Sequence, residues 1–401
     1  MDLRPLPNLG KTRRIMIVAG EMSGDQHAAR LVRAARAEGL RARFYGIGGD
    51  ALRAEGVETL VDAREMAVLG FSEVIAKYRT LKRAFDLLAN LLRTDPPDAL
   101  LLVDYPGFNL RLAKIAKAAR VPVWYYISPQ VWAWNRARIP RMARLIDHLL
   151  VIFPFEPAVF ASTPLPVTFV GHPLVESVRK TLAAPPADLP WPGAGGPRVA
   201  ILPGSRRQEI ARILPLQLAA AQHLLRHPDP SRPGDPPPRF LVAAATEEAV
   251  PAIQALLDRH VPPEFRPAFA VLPRRMREIA RQADAAMVCS GTATVETALC
   301  RCPMIVVYRA AWPTYFLGRL LIRVKWLGMV NLVAGRTVCP EFIQRDATPA
   351  AMAAALRPLL TPTPARQAQL DALDAVAAAL AGDGSATPPG RVVARLAAAL
   401  P

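Results

Sequence analysis

The sequence predicts an α/β protein of two doubly wound, parallel-sheet domains that face each other across a cleft. Three observations carry this. The chain has 401 residues, too many for one ordinary core and suited to two domains of roughly 150–200 residues. Short, almost uninterrupted apolar runs alternate with helical patterns, as expected of parallel strands covered on both faces. The alternation then halts in a Pro- and Gly-dense stretch, LAAPPADLPWPGAGGP (182–197), and restarts beyond it.

Taken in order, RIMIVAG (14–20) reads as the first strand, with Ser23 and Asp25 as capping candidates for a helix that ends near Gly39. ARFYGIGG (42–49) is a second strand. ALLLVDYPG (99–107) follows a Leu-rich basic helix and a Pro-Pro turn. VPVWYYIS (121–128) and HLLVIFPF (148–155) complete the first set. The second set is RVAILPGS (198–205), RFLVAAA (239–245), DAAMVCSGT (284–292) and PMIVVYR (303–309), with a Pro-rich loop at 227–239. The expected organisation is an extension at 1–13, a first domain at 14–181, a linker at 182–197, a second domain at 198–348 and a helical tail at 349–401.

Composition excludes several classes. With 52% hydrophobic and 21% charged residues the chain can bury sizeable cores and is not disordered. No apolar run reaches the ~18 residues that span a bilayer. The basic opening lacks the apolar stretch of a secretory signal, so a cytosolic protein, or one attached to a cytosolic face, is expected. Four cysteines form no C-x-x-C pair and the histidines no paired set, so buried thiols are expected and a structural zinc is not. Fifty Lys and Arg against 33 Asp and Glu give a net charge of +17, which attracts polyanions. The basic residues are dispersed and no nucleic-acid module is recognisable, leaving phosphorylated substrates or an anionic membrane.

Doubly wound domains bind ligands where strands end, and unusual residues cluster there. In AILPGSRRQEI (200–210) a strand runs into Gly204 and Ser205, and a helix starts with Arg206. Glycine admits a ligand close to the backbone, helix N–H groups attract an anion, and a guanidinium fits diphosphate oxygens. CSGTATVETAL (289–299) repeats the design with Ser290, Gly291 and Thr292, while Glu296 can bind both ribose hydroxyls. Each loop alone also fits an ordinary capped helix; together they describe a nucleotide site. In the first half, GEMSGD (20–25), with Ser23, Gly24 and Asp25, is not a Walker loop, and GIGGDA (46–51) lacks a ribose-binding acid; both suit a second substrate. Asp104 in VDYPGFN ends a strand and can act as a general base, or can cap the next helix. Gln130, Trp132, Trp134 and Asn135 in SPQVWAWN suit a sugar face or a buried aromatic cluster. His172 in VGHP is a positioning candidate.

In this order and spacing, GEMSGD, GIGG, VLGFSEV, DYPGFN, SPQVWAW, FPFE, GHPL, LPGSRRQEI, SGTATVE and NLVAGR resemble the lipid-A-disaccharide synthase family over some 330 residues. The resemblance implies a GT-B fold of two Rossmann-like domains. It implies inverting transfer from UDP-2,3-diacylglucosamine to 2,3-diacylglucosamine 1-phosphate in lipopolysaccharide biosynthesis, with no cofactor and no metal. By the family's pattern Asp104 is the base, Arg206 holds the diphosphate, and Glu296 and Asn331 belong to the nucleotide-sugar site. An anionic inner-membrane surface and a homodimer are the implied partners. Val68, Leu69, Phe71, Val74, Ile75 and Tyr78 lie in an apolar stripe beside Lys77, Arg79, Lys82 and Arg83, the pattern of a helix lying on an anionic membrane or of a core helix with basic flanks. WPTYFLGRLLIRVKW (312–326) mixes the same residue types. Rival readings are another GT-B enzyme acting on UDP-GlcNAc and a non-catalytic nucleotide-sugar or membrane-binding protein.

Overall fold

The computed structural model describes residues 12–66, 71–312, 315, 318, 324–382 and 387–399, with backbone alone over 71–77. The first unit runs β1 (Arg13–Ala19), α1 (Met22–Ala37), β2 (Ala42–Gly48), α2 (Asp50–Ala54), β3 (Glu58–Asp62), α3 (Ala63–Met66), α4 (Phe71–Thr94) and β4 (Ala99–Val103). It continues with α5 (Pro106–Ala118), β5 (Val123–Tyr126), α6 (Val131–Trp134), α7 (Ile139–Leu145), β6 (His148–Val151), α8 (Glu156–Val159) and β7 (Val167–Phe169). Its seven strands are all parallel, in the order β3-β2-β1-β4-β5-β6-β7. Met16, Val18, Leu100, Leu102, Val123 and Tyr125 are buried to within a few per cent and join one apolar cluster with Leu88, Leu92 and Leu112 from the covering helices.

The second unit opens with α9 (Leu174–Ala183), followed by β8 (Arg198–Leu202), α10 (Arg207–Arg226), β9 (Arg239–Ala244), α11 (Val250–His260), β10 (Phe269–Pro273), α12 (Met276–Gln282) and β11 (Ala285–Cys289). Next come α13 (Thr292–Leu299), β12 (Met304–Tyr308), α14 (Met329–Ala334), β13 (Glu341–Ile343), α15 (Pro349–Leu356) and α16 (Pro364–Ala381). Its six parallel strands are ordered β10-β9-β8-β11-β12-β13. Both sheets therefore reverse their winding once, between β1 and β4 and between β8 and β11. A crevice opens at the carboxyl end of each reversal. GEMSGD, DYPGFN, PGSRR and SGTATVE are the four segments that leave those strands.

The expected domain boundaries need correction. The chain divides at Pro173, and the second unit is Leu174–Leu380. The Pro- and Gly-rich stretch is not a free linker but is pinned to the second unit. Arg281 Nη1 donates to the Ala184 carbonyl at 2.7 Å, Gln282 Nε2 to the Ala187 carbonyl at 2.6 Å, and Trp191 Nε1 to Gln282 Oε1 at 3.1 Å. Nor is the region from 349 onward one tail. Gln369 is buried in the second unit, accepting the Met304 N–H and donating to the carbonyls of Met304 and Val338. The chain then returns, and α17 (Pro388–Ala399) packs against α1. There Arg391 donates from Nε to the Val170 carbonyl and from Nη2 to the Ala381 carbonyl, each at 2.7 Å. All four cysteines are buried thiols. Among the described residues no helix is long and apolar enough to cross a membrane.

Candidate functional site

In the second unit, the loops leaving β8 and β11 line one cavity of about 620 Å³. Gly204 has φ +106°, and a Cβ there would lie 2.8 Å from Glu209 Oε2 and 3.2 Å from the Cys289 sulfur, so only glycine fits. Arg206 caps α10 with its side chain 80% exposed. Its Nη1 contacts Glu209 Oε1 at 2.9 Å, while Glu209 Oε2 accepts the N–H groups of Ser205 and Arg206 at 3.3 and 3.2 Å. The two N–H groups just before the first helical residue, Arg207, are thus held by an internal carboxylate. Glu209 occupies the place of an anion at a helix N-terminus.

The opposite wall comes from Ser290, Gly291, Thr292 and Glu296. Ser290 donates its hydroxyl to the Leu327 carbonyl at 2.9 Å. Glu296 is clasped by Arg277, which approaches Oε1 at 2.7 Å from Nε and 2.6 Å from Nη2. Arg277 and Arg274 follow β10 and also line the cavity. Sequence reasoning missed both, although "PRRM" after a strand was a usable signal. The Cys289 thiol, in the same wall, is pushed up to about 12 by burial and stays protonated.

Asn331 does not line this cavity, and the expectation that it contacts a nucleotide sugar is corrected. It is fully buried, donating from Nδ2 to the Cys339 carbonyl and to Glu341 Oε1, both at 2.8 Å. Its Oδ1 accepts the N–H groups of Val338 and Cys339 at 2.7 and 2.9 Å. Glu341 in turn accepts the N–H groups of Leu327 and Gly328, each at 2.9 Å. Asn331 thus braces the loop whose carbonyl receives Ser290.

In the first unit, Asp104 and Tyr105 both adopt left-handed backbone, with φ +48° and +45°. Neither is glycine, so each costs on the order of 1–3 kcal/mol that the surroundings must offset. They do so from three sides. The Asp104 N–H donates to the Tyr126 carbonyl at 3.0 Å, and the Asp104 carbonyl accepts Asn109 Nδ2 at 2.7 Å and the Tyr125 hydroxyl at 2.5 Å. Tyr105 donates to the Met66 carbonyl at 3.0 Å, and its ring lies where a Gly20 Cβ would stand, 2.5 Å from Cδ1. Burial, and then the charge of Glu21, raise the Asp104 carboxyl to about 6. Glu21, Met22 and Ser23 are all exposed at the start of α1. Glu21 was not singled out from the sequence.

Three further candidates in this unit, Asp25, Trp132 and His172, are held inside the fold. Asp25 is buried and caps α2, accepting the N–H groups of Gly49 at 2.7 Å, Ala51 at 2.9 Å and Leu52 at 3.2 Å, which is why GEMSGD and GIGG occur together. Trp132 is a core residue whose Nε1 donates to Glu156 Oε1 at 3.2 Å, with Phe155 edge-on at 5.0 Å. Burial raises Glu156 to about 7 although it also accepts the Ile152 and Phe153 N–H groups. His172 is buried against Phe153, and burial followed by the nearby His27 lowers it to about 3, leaving it neutral. Gly24 is buried, Gln130 is exposed, and Asn135 is partly exposed. Val68 and Leu69 lie outside the described residues, as do the side chains of Phe71, Val74 and Ile75.

Comparison with known proteins accords with this geometry. A family model described as lipid-A-disaccharide synthetase matches residues 15–381. The lipid-A-disaccharide synthase of Trichlorobacter lovleyi is 39% identical over 382 residues, covering 94% of this chain and 96% of that protein. That of Geobacter sulfurreducens is 42% identical over 342 residues, covering 84% and 85%. Among solved structures, the UDP-GlcNAc 2-epimerase of Neisseria meningitidis bound to UDP-GlcNAc superposes with a TM-score of 0.58 at 10% identity, covering 96% of this chain and 99% of that one. At that identity the likeness speaks to the fold alone, which is GT-B.

Proposed function

The chain belongs to the lipid-A-disaccharide synthase family and is a hexosyltransferase of lipid A disaccharide synthesis, and from that premise we propose how its residues carry the transfer. The family uses a UDP-sugar donor and a sugar-phosphate acceptor. We assign UDP-2,3-diacylglucosamine and 2,3-diacylglucosamine 1-phosphate to these roles. The products are then the β-1,6-linked disaccharide 1-phosphate and UDP.

One observation carries the reading: two strand-end loops converge on a single cavity, one bearing Gly204, Ser205 and Arg206 and the other Ser290, Gly291, Thr292 and Glu296. The first loop suits a diphosphate and the second a ribose. Arg277 engages Glu296 Oε1 from two nitrogens and fixes the carboxylate in one orientation, leaving Oε2 to accept the ribose hydroxyls. Ser23, Gly24, Gln130 and Asn135 are assigned to the acceptor.

In the reaction the acceptor's 6-hydroxyl attacks the anomeric carbon on the face opposite UDP. Asp104 takes the hydroxyl proton as the new C–O bond forms. The bond from the anomeric carbon to the β-phosphate oxygen breaks, and its electron pair leaves with UDP. Arg206 transfers its attention from Glu209 to that growing charge, helped by the N-terminus of α13. A carboxyl held at about 6 is mostly ionised at neutral pH yet basic enough to accept a proton.

Acyl chains on both substrates and the surplus of positive charge support action at an anionic membrane, the cytosolic face of the inner membrane. The same reading includes a homodimer, checked by the mass of the particle in solution. The decisive assay is UDP release in neutral detergent with both lipid substrates. Acceptor-dependent turnover that drops 10²–10⁴-fold in Asp104→Asn is expected. Undiminished turnover in the variant removes Asp104 as the base. Turnover only with another UDP-sugar pair removes the lipid assignment.

A further inference from the structure

The transfer chemistry leaves one surface of the first unit unused. Residues 131–146, VWAWNRARIPRMARLI, contain four arginines and no acid. Their local fold sorts them by face. Trp132 anchors the short α6 in the core through Glu156, and Trp134, two residues on, stands outward and 45% exposed. The Arg138 guanidinium lies 5.0 Å from the Trp134 ring centroid. Beyond it Ile139, Met142 and Ile146 turn inward, while Arg136, Arg141 and Arg144 are exposed. Arg136 and Arg144 line a common concavity of about 430 Å³ with Pro140, Ser162 and Pro164.

The charge on this surface is uncompensated. Among the described residues none of the four arginines forms an ion pair. The nearest acid in sequence, Asp147, is taken by Lys117 and by the Val123 N–H. Elsewhere in the same unit Arg14 pairs with Asp95, Arg33 with Glu55, Arg43 with Glu58 and Arg53 with Asp62, while exposed Arg41, Arg93, Arg111 and Arg120 stand singly without an ion pair among the described residues; four within nine positions are found at 136–144. Clustered unpaired cations repel one another until an anion arrives. Guanidiniums grip phosphate oxygens, and an exposed indole prefers the headgroup layer of a bilayer. The surface also borders the proposed chemistry, because the charge of Arg138 acts on the Tyr125 hydroxyl, which donates to the Asp104 carbonyl.

We propose that Trp134, Arg136, Arg141 and Arg144 dock the first unit on an anionic phospholipid bilayer, with a headgroup phosphate seated between Arg136 and Arg144. The inference rests on the membrane reading above and deepens it by naming the surface. Docked this way, the bilayer delivers lipid substrates beside Asp104.

The test is flotation of the full chain with vesicles of phosphatidylcholine alone, or with one third phosphatidylglycerol, using the wild type, Arg136→Gln/Arg144→Gln and Trp134→Ala. Charge attraction near a membrane is worth on the order of fivefold per arginine, so the double variant should bind the anionic vesicles roughly 25-fold more weakly. Its binding to neutral vesicles, its melting temperature and its turnover in neutral detergent should match the wild type. Trp134→Ala should weaken binding to both vesicle types. Equal binding of wild type and double variant to anionic vesicles overturns the surface and leaves the membrane reading intact. Failure of the wild type itself to bind overturns both. An acceptor KM raised tenfold or more in neutral detergent by the double variant also overturns the inference, assigning the arginines to the acceptor's own phosphate.

Discussion

Asp104 owes its chemistry to where its backbone is forced to lie. Two successive left-handed residues turn the chain at the end of β4, and the Tyr125 and Asn109 side chains hold the Asp104 carbonyl in that turn. Because the carboxyl must be ionised to accept a proton, turnover should fall tenfold per pH unit below about 6 and level off above it. Glu21→Gln removes a charge that raises this carboxyl, so the acid limb of the rate profile should move to lower pH; an unmoved limb would show that burial alone sets it. The two tryptophans of VWAW should separate cleanly under denaturant. Trp132→Ala empties a core site and strips a donor from buried Glu156, costing about 3–5 kcal/mol, whereas Trp134→Ala should stay within about 0.5 kcal/mol. This contrast was not legible in the sequence, where both indoles fitted either a sugar face or a core. The candidate-site loops were legible for a simple reason: glycine, serine and arginine directly after a buried strand have few structural uses. The clasps of Glu209 on Arg206 and of Arg277 on Glu296 were not, since they depend on which charged neighbours the fold brings together.

The same division holds for elements. All the strands expected from apolar runs are interior strands, buried on both faces. The four that went unrecognised, β3, β7, β10 and β13, are the four sheet edges. Each is only partly buried along its length, and ETLVD, VTF and EFI carry no continuous apolar run, whereas FAVLP is apolar throughout and was a usable signal. Composition misled at 182–197, because proline and glycine report irregular backbone and not freedom to move. At α14 the amide of Asn331 ties the 338–341 segment to the loop that receives Ser290. Asn331→Ala leaves the Val338 and Cys339 N–H groups buried without a partner, at about 1–3 kcal/mol each if no water enters. We expect a loss of about 2–4 kcal/mol in urea and a raised donor KM with little change in acceptor KM. An unchanged donor KM would confine Asn331 to stability.

At the scale of the molecule, one buried and one partly buried histidine make the first unit sensitive to acid. His27 and His172 are lowered to about 4 and 3, chiefly by burial, so the folded chain keeps them neutral while the unfolded chain protonates them near 6.5. Their contribution is complete above pH 6.5 and is lost as pH falls toward 4, on the order of a few kcal/mol. His172→Phe should flatten the fall in melting temperature between pH 6.5 and 4.5. The first unit also includes α17, which reaches it only after the chain has built the second unit. Ending the chain at residue 382 should therefore lower hydrogen-exchange protection in α1 while leaving 198–380 unchanged. On the ribosome that connectivity becomes a delay. At ~5–20 residues per second the intervening 174–380 segment takes roughly 10–40 s to emerge, and throughout that time the α1 surface waits for its cover. The half of the enzyme made first is the half finished last, so a nascent-chain chaperone has its longest opportunity there.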